Sequence, residues 1–98
     1  MYIDKCKQHT AVRYMIKVDK EQKIAEENNY TIINSNDFSD YGYVIRMDGT
    51  QFAWHKGWTF QYDRALVLEH TEAVQALRVY KEIMNLPVEI VLVLPEDM

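Results

Sequence analysis

"YGYVIRMDGTQFAWHKGWTF", residues 41–60, holds the pattern on which the fold turns. Two alternating runs flank Asp48-Gly49, a pair suited to a two-residue hairpin turn with positive φ at both central positions. Such a turn sets Met47 against Thr50, Ile45 against Phe52 and Tyr43 against Trp54 on one face. Arg46 then meets Gln51, and Val44 meets Ala53, on the other. One face is aromatic and the other mostly small or polar.

The same stretch raises a question of sidedness. Phe52, Trp54, Trp58, Phe60 and Tyr62 all carry even numbers, so an unbroken extended segment puts all five on one side. If Lys56-Gly57 instead makes a second tight turn, Trp58, Phe60 and Tyr62 pair across from His55, Ala53 and Gln51. They then land on the face opposite Trp54, because a change of register flips every side chain.

Upstream, "AVRYMIKV" at 11–18 alternates with a period of two, placing Val12, Tyr14, Ile16 and Val18 on one side of a first strand. "DKEQKIAEENN" follows as a helix, with Asp19 as N-cap, Asn28 or Asn29 as stop, and only Ile24 and Ala25 to bury. "YTII" reads as a brief strand and "NSNDFSD" as a loop of turn formers. Downstream, residues 56–69 leave room for one more strand. Thr71 caps a second helix whose apolar stripe is Ala73, Val74, Ala76, Leu77, Tyr80, Ile83 and Met84. Asn85 and Pro87 end it, and "VEIVLVL" at 88–94 is apolar on both faces, hence a central or covered strand.

Strand, helix, hairpin, helix, strand is the split βαβ, ferredoxin-like plan. The expected fold is therefore α+β, an antiparallel sheet of four to six strands with two helices on one face. At 98 residues, with 48% hydrophobic and 12% aromatic content, residues 1–98 read as a single folded domain.

Composition also narrows function. A formal net charge of −4 disfavours broad attraction to phosphate backbones or anionic membranes, so nucleic acid is not the expected partner. The longest aliphatic run, "IVLVL" at 90–94, is far too short to span a bilayer. A lone Cys6 points to a reducing compartment, and the cytoplasm is expected.

The residues supply little chemistry. Cys6 and His9 form only a C-x-x-H fragment without a second ligand pair, so no metal and no cofactor is expected. Ser35 and Ser39 lack a nucleophile-elbow glycine pattern, and Gly42, Gly49 and Gly57 are isolated, which removes a phosphate cradle. No catalytic residue is assigned. Partner recognition is the reading that remains, on a surface centred on Trp58 and Phe60 with Tyr62 beside them and Lys56 and Arg46 at the rim.

Three rivals stay open. One is single-strand RNA binding, with bases stacked on Phe52, Trp54 and Trp58. Another is a small hydrolase or nuclease that uses His55 or His70 with a nearby carboxylate. The third is DNA mimicry by Asp37, Asp40, Asp48, Asp63, Glu69 and Glu72. An aromatic face or bare edge strand would equally be covered by a second copy of the chain.

At residues 41–94, the hairpin, "ALVLEHTEAVQALRVYKE" and "VEIVLV" together resemble small accessory proteins of bacteriophages. The resemblance implies a stoichiometric, non-enzymatic inhibitor or adaptor that binds a host protein, such as a defence nuclease or a toxin, in the host cytoplasm.

Overall fold

The computed structural model describes residues 18–96. Five strands form one sheet: β1 (Thr31–Asn34), β2 (Gly42–Met47), β3 (Gln51–Trp54), β4 (Gly57–Thr59) and β5 (Val88–Leu94), in the order β1-β5-β2-β3-β4. The neighbours β1 and β5 run parallel, and the other pairs are antiparallel. The fold is α+β with two helices on one face, as the sequence predicts. The sheet, however, is mixed, and its strand order differs from the ferredoxin-like plan.

One reason lies at the start. Helix α1 occupies residues 18–27, so Val18 is helical and buried, and Asp19 sits inside the helix and is not its cap. The remainder of the expected first strand, residues 11–17, lies outside the described residues. The brief strand "YTII" takes a place beside β5.

Helix α1 ends as its asparagines predict. Asn29 adopts φ 58°, its N–H donates to Glu26 O at 3.3 Å, and Tyr30 N–H reaches back to Ala25 O at 2.9 Å. This is the six-to-one and five-to-two pattern of a left-handed helix stop, with Tyr30 and Ile24 packed on the same core. Replacing Asn29 by alanine, which adopts the left-handed conformation less readily, is expected to destabilise the domain by about 1 kcal/mol. Glycine at the same position should be neutral or stabilising, and urea unfolding of both variants checks the pair.

Helix α2 (His70–Arg78) begins two residues earlier than expected. Its N-cap is Glu69, not Thr71, and Glu72 Oε1 accepts from Glu69 N–H at 3.0 Å in a capping box. A wider turn, Val79–Ile83, continues it, with Met84 N–H bonded to Val79 O at 3.1 Å. A hydrogen bond that reaches back five residues instead of four widens the turn and under-rotates the chain relative to an α-helix. The expected stripe therefore holds from Ala73 to Tyr80 and then loses phase, so Ile83 and Met84 are exposed.

The sheet carries a core on each face. Toward the helices, Tyr43, Ile45, Ala53, Ile90, Leu92 and Leu94 pack with Val18, Ala25 and Ala73. On the other face, Val44, Phe52, Val91 and Val93 pack with Phe38 and Ala65, which come from connecting segments. Strand β5 is thus buried on both sides, which its unbroken apolar sequence requires.

The hairpin obeys its turn and breaks its register. Asp48 and Gly49 take φ 58° and 73°, and Thr50 N–H bonds Met47 O at 3.1 Å, the expected turn. Yet the ladder pairs Met47 with Gln51 and Arg46 with Phe52, leaving Thr50 as an extra residue. That single step moves Phe52 and Trp54 off the Tyr43 and Ile45 face and onto the face of Val44 and Arg46. Beyond Arg46 the two strands part. Leu66 N–H bonds Ala53 O at 2.9 Å, and Leu68 exchanges bonds with Tyr43 at 2.7 and 2.9 Å, so residues 66–68 fill the opening.

Candidate functional site

The second tight turn falls at His55-Lys56, one residue before the expected Lys56-Gly57. Trp54 pairs with Gly57 and Ala53 with Trp58 across β3 and β4. Trp54 and Trp58 consequently point to opposite faces. Trp58 is half-buried on the helix side, its ring 5.0 Å from that of Tyr80.

After β4 the chain folds back over the other face of β3. Thr59 Oγ1 accepts from Gln61 N–H at 3.0 Å, and the short 3₁₀ turn Tyr62–Arg64 follows. Tyr62 stacks on Phe38 with centroids 5.0 Å apart and meets Phe52 edge-on at 5.4 Å. Two residues later Arg64 lies over the Trp54 ring, 5.5 Å from its centroid. Lys56, carried round by the turn, lies 5.8 Å from the same ring, and His55 meets it edge-on at 5.0 Å. The indole is half-buried and both cations are exposed, and each such contact contributes about 0.5–1 kcal/mol.

Trp54, His55 and Arg64 border an open groove of about 520 Å³, lined further by Ser39, Asp40, Asp63 and the chain at 65–67. Among the described residues, neither Lys56 nor Arg64 forms an ion pair; the pair present is Arg46 with Glu89, 2.9 Å apart. Along the same stretch the apolar exposure is high. Phe60 is 69% exposed, Tyr62 46% and Leu66 37%.

No protein family, curated protein or solved structure matches this chain. Its own geometry carries the functional argument.

The five residues expected at a partner surface are thus divided. Lys56, Tyr62 and Arg46 belong to the face that carries Phe52 and Trp54. Arg46 is half-buried there and held by Glu89 through both Nε and Nη2. Phe60 projects from the end of β4, at the border of the sheet. Trp58 belongs to the opposite face, half-buried and in contact with Tyr80 of the helix layer, whereas Phe60 is exposed. Sequence reasoning missed Arg64, Leu66 and the role of Trp54. The signal was available only in part, since it depends on the turn position at His55-Lys56 and on the fold-back after Thr59.

The histidines part as well. His55 borders the Trp54 groove, whereas His70 Nε2 lies 2.9 Å from Tyr30 Oη and its ring 5.1 Å from that of Tyr43, at the start of α2. Among the described residues the two border different recesses. Asp40, Glu69 and Glu72 border one small recess with Glu21, Asp63 borders the Trp54 groove, and Asp48 sits at the other end of β2. Among the described residues no three His, Cys, Asp or Glu side chains are grouped to hold a metal, and no helix is long and apolar enough to cross a membrane.

Proposed function

We propose that this chain is a non-catalytic domain that binds a partner protein through the surface formed by Phe60, Tyr62 and Leu66, with Lys56 at its rim. The observation that carries the reading is the exposure of three large apolar side chains within seven consecutive residues, beside two cations that form no ion pair among the described residues. Aromatic anchors with a polar rim are the usual energetic centre of protein interfaces. Arg46, tied to Glu89, contributes position more than contact. Following the resemblance to bacteriophage accessory proteins, the partner is a host protein whose activity is inhibited or modulated. Base stacking across the sheet is the weaker reading, because Phe52 is buried and Trp58 lies against Tyr80.

The test is capture of a partner from bacterial lysate by the tagged chain, followed by titration of that partner. Phe60→Ala combined with Tyr62→Ala is expected to weaken binding at least about 30-fold, the effect of losing a hot spot of about 2 kcal/mol. Ile83→Ala, an equally exposed site beyond α2, should leave affinity within a few-fold. A double variant that binds as well as the parent chain would end the proposal.

A further inference from the structure

Past Arg78 the helix layer turns an apolar face to solvent. Ile83 is 74% exposed, more than Phe60, and Val79 and Met84 are exposed beside it. A regular α-helix would carry Ile83 and Met84 on along the stripe of Ala73, Leu77 and Tyr80. The bond from Met84 N–H to Val79 O widens the turn and holds them outward instead, and wide turns of this kind recur at functional positions in helices. Tyr62 lies across the sheet against Phe38 and Phe52, so docking of a partner there leaves this patch uncovered.

The charges around the patch choose its occupant. Arg78 and Glu82 are exposed about one helical turn apart, and among the described residues neither forms an ion pair. Each stands one position before an apolar residue, so the pattern repeats as Arg78-Val79 and Glu82-Ile83 with the sign reversed. Two such segments laid antiparallel about a two-fold axis set Val79 against Ile83 of the second copy. Arg78 and that copy's Glu82 are then two residues out of level, about 3 Å at a rise of 1.5 Å per residue, which long side chains span. The two-fold makes each of these contacts twice. Opposite signs at matching positions suit a copy of the same chain, whereas a partner surface of one sign would meet a like charge at Arg78 or at Glu82. We propose that the Val79, Ile83 and Met84 face pairs with the same face of a second copy of this chain, with Arg78 and Glu82 joined across the two-fold.

Sedimentation of the unaltered chain from about 0.01 to about 1 mM tests this. The average mass is expected to climb from one chain toward two, with half-association near roughly 0.1 mM, because three side chains from each copy fall short of the ~800 Å² per partner of a standard interface. Ile83→Lys, at so exposed a position, spares the fold and should keep the chain monomeric throughout. Arg78→Glu sets acidic side chains together and should weaken association at least about tenfold. Arg78→Glu combined with Glu82→Arg restores the pairing with its signs exchanged, and should return association to within about threefold of the parent chain. The inference is overturned if the unaltered chain stays monomeric at about 1 mM, if Ile83→Lys associates as well as the parent, or if the double exchange does no better than Arg78→Glu alone. Titration of a captured host protein at micromolar concentration meets the monomer, so the surface at Phe60, Tyr62 and Leu66 stands or falls separately.

Discussion

Replacing Tyr43 by alanine is expected to lower the free energy of unfolding by about 3–5 kcal/mol, the range seen when a buried large aromatic is emptied. A domain of this kind has only about 5–15 kcal/mol in total. Tyr43 has no exposed surface and sits where three layers meet. Its ring meets Tyr30 edge-on at 5.9 Å and His70 at 5.1 Å, its hydroxyl donates to Glu21 O of α1 at 3.1 Å, and its backbone is bonded on both sides of β2. Losing the ring therefore loosens α1, α2 and the sheet together. Denaturant unfolding of the variant checks the figure, and a loss under about 1 kcal/mol, typical of surface changes, would contradict this account.

Tyr43→Phe separates the ring from its hydroxyl. Burial raises the pKa of that hydroxyl well above the ordinary 10, and the charge of Glu21 and the neighbouring Tyr30 push the same way. Below about pH 10 the folded and unfolded chains both keep the proton, and stability is fully present. Above it the unfolded chain releases the proton while the folded chain holds it, so stability falls as pH rises. Tyr43→Phe should reduce this alkaline slope without abolishing it, because burial also raises Tyr30. Near neutral pH the same variant should lose about 1 kcal/mol with the hydrogen bond to Glu21 O.

How far the fold could be read from sequence depended on whether a feature was local. The Asp48-Gly49 turn, the Asn29 stop and the doubly buried β5 are each dictated by a few adjacent residues, and each forms as expected. Thr50, by contrast, is a small residue that suits either strand or bulge, and nothing beside it signals that it drops out of the ladder. That one residue decides the facing of Phe52 and Trp54. Ile83 and Met84 fit an α-helical stripe in sequence, and the wide turn that exposes them leaves no compositional trace. The parallel pairing of β1 with β5 joins residues about sixty positions apart, a distance over which no local pattern speaks.

The candidate site was legible to the same degree. That residues 54–62 carry an unusual aromatic density is plain from the letters, and Phe60 and Tyr62 are indeed exposed. Which rings share a face is set by where the turn falls and by the fold-back after Thr59. Arg64 reaches Trp54 only because of that fold-back.

Gly42→Ala probes the least predictable of these long-range features, the insertion of residues 66–68 beside β2. Gly42 has φ 154°, and a Cβ placed on it would stand 2.9 Å from Val67 Cγ1 and 3.1 Å from Leu68 O. The side-chain methyl of Val67 can give way a little, but Leu68 O cannot, because it accepts the Tyr43 N–H at 2.9 Å. Backbone strain of about 1–3 kcal/mol and overpacking of similar size therefore act together, and a loss of about 2–4 kcal/mol is expected. Val67→Ala in the same chain removes the nearer contact and should recover part of that loss, which distinguishes steric crowding from backbone strain. If Gly42→Ala proves neutral in denaturant unfolding, the segment at 66–68 does not press on β2 as described, and the bonds to Tyr43 that close the opened hairpin would have to be sought elsewhere.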